Sequence, residues 1–163
     1  MIMESIAYKP IGLIHSPFQS IEGIPIQASS AKNTEGTIEI FPEYTRGLKD
    51  LDQFSHLILI YHLHLSEGYE LEVRPFLDSQ ERGVFACRAP SRPNPIGVST
   101  VRLKGIEGSM LQIADLDIVD GTPLLDIKPY VPSFDERQNV RIGWLENRIQ
   151  EADNKRSDDR FMT

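Results

Sequence analysis

The sequence predicts a mainly β protein, a compact sandwich or barrel followed by a short C-terminal helix. Three observations carry that reading: short runs of alternating apolar and polar residues, Pro and Gly turns between them, and a helical spacing confined to the end of the chain. In order, Ile11, Leu13 and His15 alternate with Gly12, Ile14 and Ser16, and Pro17 ends that strand. Thr37 to Phe41 is a second strand, with Ile38 and Ile40 on one face and Glu39 on the other. Pro42-Glu43 is a turn, and Tyr44 to Phe54 has room for one helical turn. Leu57 to Tyr61 is apolar on both faces, as expected of a central strand.

Gly83 to Cys87 is a short strand, and Val101 and Leu103 alternate with Arg102 and Lys104 in the next. Leu111 and Ile113 share one phase, whereas Leu116 and Ile118 fall in the opposite one. A one-residue slip of that kind predicts a β-bulge near Ala114-Asp115. Asp120-Gly-Thr-Pro123 is a turn, and Leu124 to Lys128 closes the series of strands. Ile142, Leu145 and Ile149 then recur at helical spacing, and the polar stretch from Asn154 to Thr163 is expected to fray. The expected division is a β domain over 1–141, then a helix and polar tail over 142–163.

With 163 residues, 40% hydrophobic and 25% charged, the chain suits one globular domain with a real core. One cysteine, Cys87, permits no internal disulfide and fits a reducing, cytoplasmic setting. The N-terminus lacks the pattern of a signal peptide, and no apolar run is long enough to span a bilayer, so no membrane partner is expected. The net charge is −7, which on average repels nucleic acid. Arg74 to Lys104 nonetheless carries six basic residues against Asp78 and Glu81. That segment either presents a basic surface or pairs with carboxylates elsewhere.

Dinucleotide, P-loop, nucleophile-elbow and zinc-cysteine patterns do not occur. His62 and His64, two apart on a strand, would share a face, but no third ligand stands beside them and no metal is expected. Cys87 beside Arg88 lacks a nearby histidine base and reads as a small buried residue. The concentration of chemistry lies from Gly83 to Tyr130. Arg88 and Arg92 flank Ala-Pro-Ser in a loop stiffened by Pro90, Pro93 and Pro95, a form suited to anion recognition or to structural ties with Asp117, Asp120 or Asp126. Asp126, Lys128 and Tyr130 fall on one strand face and read as a polar binding wall.

The strings GLIHSPF, GLKDLDQFSHLILIYHLH, GVFACRAPSRPNPIGVS and DIVDGTPLLDIKPYVP resemble, in order and spacing from about Ile11 to Pro132, the TsaA-like or TrmO family. The resemblance implies a small closed β-barrel and S-adenosylmethionine as the cofactor, bound without a Rossmann domain. It also implies a homodimer with sites near the interface and methylation of the N6 nitrogen of N6-threonylcarbamoyladenosine beside the anticodon of tRNA. By position it assigns Gln27, Ala28, Ser29, His64, Leu65, Arg88, Val98, Asp117, Asp120, Gly121 and Thr122 to the cofactor. Arg92, Asn94 and Lys128 fall to the substrate side, with Asp126 or Tyr130 as the catalytic base. Cys87 and Ala89 depart from the threonine and serine common there, and the chain has little beyond Pro132 where longer members carry a further domain. A small-molecule acceptor, or cofactor binding without catalysis, are the alternatives.

Overall fold

Alternation of buried and outward residues runs through the longer strands of the computed structural model, which describes residues 5–26, 31–152 and 154–161. The strands are β1 (Gly12–His15), β2 (Glu35–Ile40), β3 (His56–His62), β4 (Glu72–Val73), β5 (Arg82–Gly83), β6 (Ile96–Glu107), β7 (Met110–Ala114) and β8 (Thr122–Pro129). Six of them close a barrel in the order β1-β2-β7-β6-β3-β8, every neighbouring pair antiparallel. Closure leaves this sheet no open edge. The smaller β4-β5 pair stands apart from it.

The barrel interior is filled from alternate positions: Ile14, Ile38, Ile40, Leu57, Leu59, Tyr61, Val101, Leu111, Ile113 and Leu124. Burying each such side chain stabilises the fold by about 1.5–3 kcal/mol. Leu116 and Ile118 join the same core. The phase slip foreseen near Ala114-Asp115 is real, but it ends the strand rather than bulging it. Asp115 adopts φ +67°, and regular strand pairing stops at Ala114. A non-glycine residue there is held in place: its carboxylate accepts from the Asn33 amide at 2.8 Å and from Arg102 Nε at 3.1 Å. Bulges do occur in the β3–β8 and β6–β7 pairings, at Ile60/Tyr61 and Leu103/Gly105.

Three expectations are corrected. Gly83–Cys87 is not one strand, since β5 ends at Gly83 and Val84–Ala86 forms a 3₁₀ turn. The C-terminal helix is replaced by separate 3₁₀ turns, Gly143–Leu145, Ile149–Glu151 and Asp159–Phe161. The α-helix among the described residues is the four-residue Pro132–Asp135. Side-chain anchors to distant backbone outweigh the helical spacing: Trp144 Nε1 donates to Ala86 O at 2.8 Å and Arg148 Nη1 to Leu77 O at 2.8 Å. Ile142 and Ile149 remain exposed.

The described part of the tail also docks rather than frays. The Ser157 amide donates to Ile24 O at 2.9 Å, its carbonyl accepts from Gly23, and Phe161 is buried with Val73, Val84 and Ala89. Phe76 meets Phe161 edge-on at 5.1 Å between centroids.

Candidate functional site: a cavity at one end of the barrel

The C-terminal end of β3, the start of β6 and the start of β8 meet at one end of the barrel, because neighbouring strands run antiparallel. A cavity of about 280 Å³ opens there. Its walls come from Tyr61 and Leu63–Ser66 after β3, Ile96–Val98 on β6, Asp117–Val119 after β7, Thr122 on β8 and the Cys87–Arg92 loop. Ile21, Ile24, Pro25, Ile26, Phe76 and Ser157 also line it.

The polar floor is a short hydrogen-bond chain. Ser99 Oγ donates to Asp117 Oδ1 at 2.7 Å, and the Tyr61 hydroxyl lies 2.8 Å from Ser99 Oγ. Serine has one hydroxyl proton, so with that proton on Asp117 the tyrosine is the donor. Burial lifts the Asp117 carboxyl from 3.8 to about 6, against the opposing pull of the Ser99 hydroxyl, its own backbone amide and the Arg88 charge. Burial, then the Asp117 charge, raises the Tyr61 phenol, so it stays protonated.

Elsewhere in the lining Thr122 Oγ1 donates to Val119 O at 2.7 Å and lies 3.3 Å from His64 Nδ1. The threonine proton is thus committed, which makes Nδ1 the protonated nitrogen and leaves Nε2 as an acceptor. Burial, then His62, lowers the His64 pKa and keeps the ring neutral at pH 7.

Gly97 sits against Tyr61 so closely that an added Cβ would overlap the phenol ring. Gly97→Ala is expected to push the ring from Ser99 and cost about 1–3 kcal/mol through overpacking. A thermal melt checks this: an unchanged midpoint would mean that the ring has room to yield.

Among the residues singled out from sequence, His64, Leu65, Arg88, Arg92, Val98, Asp117 and Thr122 line this cavity. Gln27, Ala28 and Ser29 lie outside the described residues. Asp120 and Gly121 do not line it. Asp120 Oδ1 accepts from the Ser16 amide at 3.0 Å and faces His15 at 3.6 Å. Gly121, at φ +74°, donates its amide to Ile14 O, so this turn secures the end of β1. Arg92 Nη1 is spent on the carbonyls of Val84, Cys87 and Ala89 at 3.0, 2.9 and 3.3 Å, which makes it a tie for the loop. Asn94 stands exposed on the turn before β6 and lines no part of the cavity.

The expected wall on β8 is also corrected. Asp126 and Lys128 pair in register with Ile60 and Ile58, which alternate with the core residues of β3 and therefore point outward. Asp126 Oδ2 is held by Lys128 Nζ at 2.8 Å. Tyr130 donates to Glu136 at 3.1 Å, and that bond, with burial and the charges of Glu136 and Asp135, raises its pKa. It lines a separate depression that reaches Arg88 and Val98 from outside. His64 lies beyond the end of β3 at His62, and among the described residues no cluster of three metal-ligating side chains forms.

Sequence reading missed Tyr61, Ser99 and Ser157. Tyr61 and Ser99 lay in strings already quoted, but nothing local joins residues 38 positions apart. Ser157 sits in a tail without any pattern. Half of the basic residues in the net-positive segment pair with carboxylates: Arg82 with Asp78, Arg102 with Asp115, and Lys104 with Glu35.

Fold and cavity define a closed-barrel domain with a pocket suited to a polar, charged small molecule. The chain belongs to the family of tRNA-methyltransferase O N-terminal domains, whose sequence model matches residues 13–136. A probable S-adenosyl-L-methionine-binding protein of Pyrococcus abyssi is 58% identical over 158 residues, covering 97% of this chain and 86% of that one. The tRNA (adenine(37)-N6)-methyltransferase of Escherichia coli K12 is 36% identical over 140 residues, 80% of this chain and 60% of the enzyme. A crystal structure of TrmO from Pseudomonas aeruginosa superposes with a TM-score of 0.73 at 38% identity, covering 86% of this chain and 63% of that one. The chain thus spans about three fifths of these last two proteins.

Proposed function

We propose that the chain is an S-adenosylmethionine-dependent methyltransferase that acts on the N6 nitrogen of N6-threonylcarbamoyladenosine in tRNA, next to the anticodon. The observation that carries this reading is that Asp117 and Arg88, of opposite charge, both line the mostly apolar cavity at the barrel end. The residues present fit the cofactor. Its amino acid end carries a carboxylate and an ammonium, for which Arg88 and Asp117 are the matching charges. Its adenosine needs apolar walls, supplied by Ile24, Pro25, Val98 and Ile118. When bound, it supplies a methyl group already activated by the sulfonium.

The protein's work is then to hold, orient and exclude water. The Ser99 hydroxyl and Tyr61 fix the Asp117 carboxylate, and neutral His64 keeps Nε2 as an acceptor in the same cavity lining. Asp126 and Tyr130 are engaged by Lys128 and Glu136, so this reading gives neither a proton to take. A carbamoyl-activated N–H loses its proton without a strong base. Leu65, Ile96 and Val98 leave apolar surface at the cavity mouth, and we propose that a second copy of the chain covers it, in the cytoplasm where tRNA is found.

The test is incubation of the protein with labelled S-adenosylmethionine and bulk tRNA from a strain lacking the modification, with the product nucleoside identified by mass spectrometry. The expected product is the N6-methylated form of N6-threonylcarbamoyladenosine. Cofactor binding with no labelled nucleoside would overturn the assignment in favour of a binding protein.

A further inference from the structure

A second cavity, about 790 Å³, lies between the Pro75–Ala89 region and the C-terminal turns and shares Cys87 and Arg88 with the first. Four aromatic rings border it, Phe76, Phe85, Trp144 and Phe161. Phe85 is 77% exposed, unusual for a large apolar side chain that only needs to fold. The Arg92 guanidinium lies over its ring, 5.9 Å from the centroid. That charge is immobile, since the same guanidinium is held by the carbonyls of Val84, Cys87 and Ala89. Trp144 is fixed in the same way. Its indole donates to Ala86 O, and Arg82 lies 5.6 Å from its ring, itself locked to buried Asp78 by bonds of 2.7 and 2.9 Å.

We propose that this depression receives an unstacked nucleobase of the RNA acceptor, with Phe85 as the platform on which it stacks. The inference rests on the reading of the chain as a tRNA methyltransferase and deepens it by naming the seat of the RNA. Three features select this occupant. A purine or pyrimidine face gains about 1–3 kcal/mol by stacking on an aromatic side chain. Arg88 in the cavity wall and the Arg92 guanidinium over the Phe85 ring supply positive charge that complements the phosphates accompanying a base, in a chain otherwise acidic. The shared Arg88–Cys87 wall puts a base seated here beside the cavity assigned to the cofactor, as transfer to an extruded base requires.

Phe85→Ala and Phe85→Trp test it, because an exposed side chain can be changed without disturbing the core. The measurements are S-adenosylmethionine affinity by calorimetry and steady-state methyl transfer to tRNA lacking the modification. The expected result is cofactor affinity within about twofold in both variants, kcat/KM for tRNA lower by about 10- to 100-fold in Phe85→Ala, and near wild-type transfer in Phe85→Trp. Wild-type transfer with an unaffected Phe85→Ala variant would overturn this inference alone. A parallel loss of cofactor affinity would overturn it too, by showing a merely structural role. Failure of the wild-type protein to methylate any tRNA would remove the enzymatic reading and this one with it.

Discussion

Asp117→Asn is expected to weaken S-adenosylmethionine binding by about 10- to 100-fold while making the empty protein more stable at neutral pH. Both effects follow from one cause. In the cavity burial raises the pKa of the carboxyl to about 6, against 3.8 for the ordinary group. The folded protein therefore takes up a proton near pH 6 that the unfolded chain takes up only near pH 4. Stability from this group is full below about pH 4 and is lost as pH rises through 6. The loss at pH 7 is about 3 kcal/mol, and asparagine, which has the same shape without the charge, removes it.

A cationic ligand beside Asp117 reverses that balance, since it favours the charged form. Wild-type affinity is expected to be level just above pH 6 and to fall towards tenfold per pH unit below it. The asparagine variant should give a flat profile. Calorimetry between pH 5 and 7, with thermal melts of the empty proteins, measures both effects. A wild-type affinity that ignores pH would separate Asp117 from the cofactor's positive charge.

Arg92→Ala is expected to lower stability by about 3 kcal/mol and the melting midpoint by about 5–10 °C, with cofactor affinity falling alongside. The guanidinium serves three carbonyls of one loop. Removing it leaves the Val84–Ala89 segment without its central donor, and this segment carries both Arg88 and Phe85. Lysine should rescue poorly, because a point charge lacks the planar fork's fixed geometry. Melting curves and cofactor titrations of the two variants decide this. A normal melt with only tRNA turnover reduced would instead return Arg92 to the substrate side, where the motif first suggested it.

The contrast between Arg92 and Arg88 marks how far sequence reading goes. Both lie in one proline-stiffened loop, four residues apart, and local chemistry does not distinguish them. The fold aims Arg92 at its own loop's carbonyls, whereas Arg88 borders both cavities. Asp117 and Asp120 divide similarly, one facing the cavity and the other pinning Ser16. Asp126 and Lys128 share one side of β8, and Tyr130 lies just past its end. Which side meets the cavity is a property of barrel closure, and the alternation of β8 itself is silent on it.

What the sequence by itself determined is what arises between near neighbours: the strands from their alternation, the break in phase at Ala114-Asp115, and the family from its motifs. Tertiary structure alone decided which charged groups face the cavity, that Tyr61 and Ser99 stand behind Asp117, and that an apparently patternless tail docks against Gly23 and Ile24. The physical reason is range. Periodicity records the solvent contrast seen by a few consecutive residues. Hydrogen-bond partners distant along the chain are set by strand register and closure, which no local pattern encodes.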